Sequence, residues 1–341
     1  MGSSDRPGEF TRIEGGTVLA HQVLGATLDD FRYAADNIAH HTIVSPLLPW
    51  SGGDRELRLK AENLQPSGSF KIRCATNVLA SMPPERLSRG VVTASAGNFG
   101  LGVAFAGRAR GVSVTVHAPD TAARTKLQKL RALGATVVEH SFDEWWKIMS
   151  TRRVGASDEP LIHPVCETPV VVGNGTIGLE LARQWPEAEV VIVPYGGGGL
   201  CVGIALALKA LGRATRVIAC EVESSTPLAS ARKRGQPVAV TRGASWIDGI
   251  GSQSVLPDMW PLVSKVIDDV VVVKQCEAEV ALRSLARAGH LIVEGAAAVA
   301  VAAAMRPQFR NSRVVAVLSG GNIDMPTFTR LLQDGVSTEG P

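Results

Sequence analysis

The sequence predicts an α/β fold with parallel sheets that are covered by helices on both faces. Short runs of β-branched residues alternate along the chain with longer segments of helical periodicity. The runs are apolar without alternation, which is typical of strands buried on both faces. The chain has 341 residues, which suggests two domains or one large α/β unit rather than one small core.

Predicted strands and helices follow one another in order. The predicted strands cover residues 57–63, 91–94, 113–117, 190–194, 216–220 and 313–318, and the predicted helices cover residues 101–109, 121–133 and 200–211. Repetition of a strand and then a helix predicts parallel sheets with right-handed crossovers. Because such sheets bind ligands outside the carboxyl ends of their strands, the loops that directly follow strands should hold the functional residues.

Composition and charge exclude several classes of protein. The 35 Lys and Arg residues against 32 Asp and Glu leave a net charge of +3, so nothing favours nucleic acid as the main partner. The uncharged stretch at residues 295–305 is too short and too rich in alanine to span a membrane. Five scattered cysteines without a CxxC pair argue against a disulfide framework or a zinc site. We therefore expect a cytoplasmic protein with no nucleic-acid partner, no membrane partner and no bound metal.

The first loop of interest ends in a lysine that is suited to act as a nucleophile. Residues 66–71 are Pro-Ser-Gly-Ser-Phe-Lys, and Phe70, Cys74 and Val78 recur at helical spacing. Lys71 is therefore predicted in the first turn of a helix, where the positive end of the helix dipole lowers the pKa of its amine. Such an amine attacks an aldehyde more readily and is a better base. Taken alone, a lysine in this context is more often a solvated surface residue.

A run of four glycines predicts a phosphate site. Gly196, Gly197, Gly198 and Gly199 follow the strand at 190–194 and precede an apolar helix. Consecutive glycines allow several backbone N–H groups to converge on one anion at a helix N-terminus. The run has neither the Lys-Ser/Thr ending of a Walker loop nor the spacing of a dinucleotide fingerprint. A flexible tight turn is the alternative explanation.

Two further loops follow predicted strands. The first of them consists of Ser95, Ala96, Gly97, Asn98 and Phe99. Its backbone amides and Ser95 suit a small carboxylate, although an ordinary capping turn would have a similar composition. The second is Ser-Gly-Gly-Asn at residues 319–322. The Ser319 hydroxyl can hydrogen-bond a ring nitrogen without supplying charge, and a simple Gly-Gly turn is the alternative.

Together and in this order, these segments resemble the fold type II pyridoxal 5'-phosphate (PLP) enzymes, in particular their threonine/serine dehydratase branch. The resemblance includes the run Glu-Asn-Leu-Gln-Pro-Ser-Gly-Ser-Phe-Lys-Ile-Arg at 62–73 and Gly-Asn-Gly-Thr-Ile-Gly-Leu-Glu at 173–180. It implies a tryptophan synthase β-like fold of two parallel-sheet, three-layer domains. Residues 1–79 and 169–341 would form a large PLP-binding domain, and residues 80–168 a small mobile domain with the substrate-carboxylate loop. We also expect a homodimer.

The resemblance further implies a role for each site residue. Lys71 holds the cofactor as a Schiff base and shuttles the Cα proton, while Phe70 packs against the pyridine ring. Asn98 contacts the ring hydroxyl, Ser319 contacts the pyridine nitrogen, and the four glycines bind the phosphate. The loop from Ser95 to Phe99 binds the substrate, and Glu294 resembles a family glutamate near the active site. The implied reaction is α,β-elimination of a β-hydroxy amino acid such as L-threonine or L-serine, which yields a 2-oxo acid and ammonia.

Departures from the family pattern leave alternatives open. Phe99 replaces a common histidine, and Tyr195 stands before the glycines where a small or aliphatic residue is usual. Both favour, as an alternative, β-elimination or β-replacement on an unusual amino acid, such as a β-aryl serine or an intermediate of specialised metabolism. Racemisation ranks lower, because the racemase resemblance requires a serine where this chain has Ala96. The intact lysine and glycine loop argue against a non-catalytic PLP-binding protein. Glu221 resembles a family cation ligand, but no Asp follows nearby, so no metal is expected.

Overall fold

Ten strands and fourteen α-helices make up the regular structure of the residues that a computed structural model describes, which are 18–50, 55–95, 97–122, 124–151, 153–154, 161–165 and 167–333. The strands are β1 (Leu47–Trp50), β2 (Leu57–Lys60), β3 (Val91–Thr93), β4 (Val114–Pro119), β5 (Thr136–His140), β6 (Leu161–Ile162), β7 (Val190–Pro194), β8 (Arg216–Val222), β9 (Asp269–Val273) and β10 (Val314–Val317). The helices are α1 (Val18–Leu24), α2 (Leu28–Ile38), α3 (Lys71–Ser81), α4 (Pro84–Leu87), α5 (Asn98–Arg110), α6 (Arg124–Ala132), α7 (Phe142–Thr151), α8 (Thr168–Gln184), α9 (Gly199–Ala210), α10 (Pro227–Arg234), α11 (Trp260–Val266), α12 (Gln275–Arg287), α13 (Gly295–Ala304) and α14 (Met325–Gln333).

The larger sheet contains six strands in the order β1-β2-β10-β7-β8-β9. Its neighbouring strands are parallel except for β1 and β2, which pair antiparallel at one edge. The chain leaves this sheet after β2, returns at β7, and places its last described strand, β10, between those two. All five residues of β7 are buried. This burial agrees with the uninterrupted apolar run that predicted a strand covered on both faces.

Helices pack on both faces of the larger sheet. On one face, α8 and α9 share an apolar core with Val191 and Val193 of β7. On the other face, α12 and the alanine-rich α13 pack with Val190 and Ile192. Alternate residues of the same strand enter different cores, because successive side chains of a strand point to opposite faces. The predicted three-layer arrangement is therefore present here.

The smaller sheet has four parallel strands in the order β5-β4-β3-β6. Its core is formed with α3, α5 and α6. These strands all lie within residues 91–162, inside the segment that the resemblance assigns to the small domain, whose boundaries stay a prediction. Helix α3 contacts α5 of this unit and also α8 of the larger one. Its first residue, Lys71, consequently stands where the two units meet.

Helix α8 is the longest of the described elements that the sequence patterns did not reveal. Three glycines at 173, 175 and 178 make its helical propensity poor. They are needed because α8 packs closely on its neighbours. A Cβ atom added at Gly175 would lie 2.3 Å from a ring carbon of Phe31, and one at Gly178 would lie 2.9 Å from the Cβ of Ala207 in α9. Close helix packing has here outweighed local propensity.

The remaining boundaries differ from the predictions by a few residues. Strand β2 ends at Lys60, and a short 3₁₀ helix at Glu62–Leu64 takes the place of its predicted end. Helix α5 begins at Asn98 rather than at residue 101, which places Asn98 in its first turn. A second 3₁₀ helix covers Pro307–Phe309. None of the described helices is both long and apolar enough to cross a bilayer.

Candidate active site

The four loops selected from the sequence meet in one cleft, bounded by loops that follow β3 of the smaller sheet and β7 and β10 of the larger sheet. The predicted residues that line it are Phe70, Lys71, Ser95, Gly97, Asn98, Phe99, Gly196, Gly197, Gly198, Gly199 and Ser319. Ala96, also predicted in the site, lies outside the described residues. The convergence agrees with the expectation that ligands bind at the carboxyl ends of parallel strands.

Lys71 presents its amine inside the cleft. Its Nζ donates a hydrogen bond of 3.1 Å to the carbonyl oxygen of Pro164. The same atom lies 5.0 Å from the ring centroid of Phe70 and 5.3 Å from that of Phe99. Burial lowers the pKa of Lys71, while the charges of Cys74 and Glu294 act in the opposite direction. The direction of this shift was predicted, but burial rather than the helix dipole is its largest cause, and it favours the neutral, nucleophilic amine.

The glycine loop has a shape that only glycine allows. Gly198 adopts a left-handed conformation with φ of 93°. A Cβ atom on Gly197 would lie 2.4 Å from a methyl carbon of Val165, and one on Gly196 would lie 2.7 Å from the carbonyl oxygen of Gly249. The loop leads directly into the twelve-residue helix α9, whose N-terminus attracts negative charge. These residues fit the phosphate group of PLP.

A buried carboxyl group links the two polar residues that were predicted to face the cofactor ring. Asn98 Nδ2 donates a hydrogen bond of 2.7 Å to Glu294 Oε2, and Ser319 Oγ donates one of 3.3 Å to Glu294 Oε1. Asn322 donates in turn to Asn98 Oδ1 at 2.9 Å. Burial, and then the negative charge of Asp248, raise the pKa of Glu294 to about 7. The resemblance placed Glu294 only near the site, whereas the structure places it between Asn98 and Ser319.

The two aromatic departures from the family pattern have different positions. Phe99 lines the cleft, although its side chain is almost fully buried. Tyr195 does not line the cleft and lies in the core of the larger unit. Its ring packs under the glycine loop, where Cε2 would be 3.2 Å from a Cβ atom on Gly198. Tyr195 is therefore near the site, as its sequence position suggested, but its ring lies in the core and does not reach the cleft.

Several cleft residues were not found from the sequence. Pro164 and Val165 follow β6, a strand of two residues that is too short to produce a hydrophobic pattern. Lys126 lies in α6, and Asp248 lies in an irregular segment before α11. The Lys126 ammonium donates a hydrogen bond to the Asp248 carboxylate. Neither Lys126 nor Asp248 lies in a loop that directly follows a predicted strand, so no local sequence pattern marks either residue.

Charged residues of the lysine-containing run form a buried network behind the cleft. Arg73 donates hydrogen bonds to Glu62 at 2.7 Å and to Glu180 at 2.6 Å, and Lys60 pairs with Glu180. Burial alone would raise the pKa of Glu62, but the Arg73 guanidinium holds it below its usual range. The network joins the end of β2 to α3 and α8. It therefore fixes the helix that begins with Lys71 without lining the cleft itself.

Glu221, the residue compared with a family cation ligand, serves as a helix cap. Its carboxylate accepts hydrogen bonds of 2.7 and 2.9 Å from the backbone N–H groups of Leu228 and Ala229, at the start of α10. Burial raises the pKa of Glu221 to about 7. Within the described part of the chain, no three His, Cys, Asp or Glu residues are grouped in a way that could hold a metal ion.

Comparison with known proteins agrees with this geometry. The family described as "Pyridoxal-phosphate dependent enzyme" matches residues 38–320. The chain is 36% identical over 325 residues to the L-threonine ammonia-lyase of Thermotoga maritima, covering 92% of this chain and 80% of that protein. It is 34% identical over 285 residues to the serine racemase of Bos taurus, covering 81% of this chain and 85% of that protein.

Solved structures show the same relationship. The structure of maize serine racemase aligns with a TM-score of 0.84 at 30% identity, covering 91% of this chain and 97% of that one. Threonine deaminase isoform 2 from Solanum lycopersicum aligns with a TM-score of 0.80 at 29% identity, covering 91% and 90% of the two chains. The chain belongs to the pyridoxal-phosphate dependent enzyme family. Its predicted fold class, its cofactor and its description as a PLP-dependent lyase of the threonine dehydratase type are confirmed at the level of the family.

Proposed function

We propose that this PLP-dependent enzyme eliminates water from a small β-hydroxy amino acid, L-threonine or L-serine, and releases a 2-oxo acid and ammonia. The main support is the position of the Lys71 amine, in one cleft with a glycine loop suited to a phosphate and a loop suited to a carboxylate. The relative from Thermotoga maritima is named for the same reaction on L-threonine. We infer from this agreement that the two proteins share their reaction type.

In this proposal each cleft residue has one task toward the cofactor. The glycine loop holds the phosphate, Phe70 packs against the ring, and Lys71 provides the covalent attachment through its amine. Asn98 and Ser319 bind the polar edge of the ring. Bound PLP supplies an electron sink, which acidifies the Cα proton of an amino acid that is attached through its own amine.

Lys71 also moves the Cα proton. Its buried environment lowers the pKa of the amine, which increases the fraction of neutral amine that can accept a proton. The Pro164 carbonyl oxygen, which accepts a hydrogen bond from Nζ, orients the amine toward the cleft. Loss of the Cα proton and of the β-hydroxyl removes one water molecule. The unsaturated amine that remains takes up one water molecule and yields ammonia and the 2-oxo acid, so the atoms balance.

The polar edge of the ring site is close to neutral. Ser319 carries no charge, and Glu294, its hydrogen-bond partner, has its pKa raised to about 7. A site without a fixed negative charge does not favour full protonation of a ring nitrogen. We infer that this arrangement favours departure of the β-substituent over reactions that require a longer-lived carbanion.

Racemisation is the second candidate, because the chain is similar to serine racemases in both sequence and structure. Racemisation needs an acid on the face of Cα opposite Lys71, and the alanine at position 96 has no proton to donate. The decisive experiment is to incubate the PLP-loaded protein with L-serine or L-threonine and to quantify 2-oxo acid, ammonia and residual D-isomer. D-serine that accumulates as fast as pyruvate would overturn the elimination proposal.

Elimination or replacement on a bulkier amino acid rests on Phe99, since Tyr195 is not in the cleft. A panel that compares L-threonine, L-serine and a β-aryl serine for 2-oxo acid release separates these possibilities. If small β-hydroxy amino acids are the substrates, L-threonine and L-serine should be turned over at least about tenfold more efficiently than the β-aryl serine. A single methylene difference in a fitted pocket is already worth about 10- to 200-fold, and an aryl group is a larger change.

We infer a cytoplasmic location and a homodimer. Cys74, Cys201 and Cys220 are buried thiols, and Cys276 is an exposed one. Free thiols suit a reducing compartment.

The homodimer follows from the family resemblance. Light scattering of the purified protein measures the mass of the assembly directly, and a mass of one chain would contradict the homodimer.

A further inference from the structure

Two oppositely charged side chains from separate parts of the fold meet at the cleft. Lys126 belongs to α6 of the smaller unit, and Asp248 belongs to the segment that precedes α11 in the larger one. Their charged groups form an ion pair, with 23% and 47% of the respective side chains exposed. Both residues line the cleft. The pair is therefore accessible to a ligand that enters it.

Helix α6 has a second, separate contact with the larger unit. Thr125 Oγ1 donates a hydrogen bond of 2.6 Å to the carboxylate of Asp324. Thr125 does not line the cleft. Loss of the Lys126–Asp248 pair would thus leave α6 attached through Thr125. A substitution at Asp248 therefore changes the charge of the cleft, whereas a substitution at Thr125 changes only the attachment of α6.

The charge near Lys126 is already balanced by carboxyl groups. Apart from Lys71, the charged side chains that line the described part of the cleft are Lys126, Asp248 and Glu294. Lys126 and Asp248 both act on Glu294, the ammonium stabilising its ionised form and the carboxylate opposing it. The Lys126 ammonium therefore stands near two acidic groups, Asp248 and Glu294. It already has a negative partner in the Asp248 carboxylate.

The assignments of the proposed function leave the side of the cleft formed by Lys126 and Asp248 for the substrate side chain. The loop from Ser95 to Phe99 is assigned to the substrate carboxylate, and Lys71 to the amine and the Cα proton. The remaining polar wall is formed by Lys126 and Asp248. A neutral hydroxyl group can accept a hydrogen bond from Lys126 or donate one to Asp248 while the pair stays intact. An acidic side chain would bring another negative charge beside the Asp248 carboxylate, which is unfavourable.

We propose that the Lys126–Asp248 pair is a charge filter that admits amino acids with neutral polar side chains and disfavours those with acidic ones. The inference rests on the proposed function and specifies the substrate class of the same cleft. Because the Asp248 side chain is half exposed, water screens part of the repulsion. We therefore expect a preference of about tenfold rather than complete exclusion.

The test compares L-asparagine with L-aspartate, which have the same shape and differ in side-chain charge. Dissociation constants are measured by titrating the PLP-loaded protein and following the cofactor absorbance. The wild-type protein should bind L-asparagine about tenfold more tightly. Asp248→Asn keeps the size of the side chain but frees the Lys126 ammonium. In this variant L-aspartate should gain about tenfold relative to L-asparagine, because it can then pair with Lys126.

Thr125→Ala is the matched control, since it removes the other α6 contact without altering the charge of the cleft. Its ratio of the two dissociation constants should equal that of the wild type. An unchanged ratio in Asp248→Asn, or an equal change in Thr125→Ala, would overturn the charge filter. Keto-acid release from L-threonine is measured on the same samples. A shifted ratio without keto-acid release would support the filter and contradict the proposed reaction, whereas absence of any binding would overturn both.

Discussion

The two sides of Lys71 both contain hydrogen-bonded polar residues, but the partners of their carboxyl groups differ. Behind it, Lys60, Glu62, Arg73 and Glu180 are buried and pair with one another. In front of it, Asn98, Glu294 and Ser319 also form a hydrogen-bonded set, in which Glu294 and Ser319 are buried, but this set lines a cleft. In the rear network each charge has an opposite charge as its partner. In the front set the one carboxyl group is hydrogen-bonded only to neutral donors, and burial, followed by the negative charge of Asp248, raises its pKa to about 7.

This difference indicates how the sequence divides its polar residues between support and chemistry. A buried ion pair contributes little net stability, yet the loss of one partner leaves an uncompensated charge. A buried carboxyl group with neutral partners remains responsive to pH and to a ligand. The rear network therefore holds α3 in place, and the front set presents groups that a cofactor can use.

The largest effect is expected from removal of the amine between these two sides. Lys71→Ala should reduce turnover by at least about 10³-fold, because it deletes both the covalent attachment and the base. Some PLP should still bind through the glycine loop. Borohydride reduction of the wild-type holoenzyme followed by peptide mapping identifies the modified lysine. A pyridoxyl group on a different lysine would show that the assignment is wrong.

Breaking the rear network should mainly affect stability. Arg73→Met removes the shared partner of Glu62 and Glu180 and leaves buried negative charge, which costs about 3–5 kcal/mol. Urea unfolding of the protein measures the loss. Arg32→Met is the control, since Arg32 pairs with Asp29 on the surface, where both side chains are more than half exposed. If the two variants unfold at the same urea concentration, the rear network does not have the role described.

The contribution of the front set to the free energy of unfolding should depend on pH. The pKa of Glu294 is raised from 4.5 to about 7 in the folded protein, so between these values the folded state retains a proton that the unfolded state has lost. The contribution of Glu294 to stability is therefore complete below pH 4.5 and is lost as the pH rises through about 7. The free energy of unfolding of the wild type should decline relative to that of Glu294→Gln across this window, on the order of 3 kcal/mol in total. Parallel curves for the two proteins would exclude a raised pKa at this residue.

A smaller effect is expected where the backbone of the glycine loop approaches its neighbours. Gly197→Ala would place a Cβ atom 2.4 Å from Val165 and should weaken PLP affinity about tenfold, because the loop must shift away from the phosphate position. Gly243→Ala is the control, since its nearest contact, at 3.5 Å, is ordinary. Fluorescence titration with PLP compares the two variants. Wild-type affinity in Gly197→Ala would place the phosphate elsewhere.

The parts of the site that sequence reasoning could identify share one property. Lys71, the glycine run and Ser319 all stand at or near the end of a strand or the start of a helix, where a local pattern marks them. Lys126 and Asp248 are brought together only by tertiary structure, across 122 positions of sequence. Tyr195 directly follows a strand, yet its ring turns away from the cleft, a direction that no residue pattern specifies. Local sequence patterns therefore identified the residues at strand ends and helix starts. Pairs of residues that are distant in sequence could be identified only from the tertiary structure.

The same distinction applies to the fold. Buried parallel strands produced clear apolar runs, so both sheets could be expected. Helix α8 could not, because its glycines serve contacts with Phe31 and α9 rather than local propensity. The roles of Glu62 and Arg73 could not be predicted from the sequence either. Their sequence positions matched a family motif, but that motif alone could not tell whether they support the lysine or contact the substrate.

The central position of β10 affects how the chain can be assembled. This strand, Val314–Val317, lies between β2 and β7, although it is made long after both. During synthesis the larger sheet must wait with a gap at its middle until β10 has left the ribosome. Such non-local strand pairing folds slowly and exposes unpaired edges to aggregation. A premature stop codon before residue 314 would consequently remove the centre of the sheet, and the Ser319 wall of the cleft with it, rather than trim a dispensable tail.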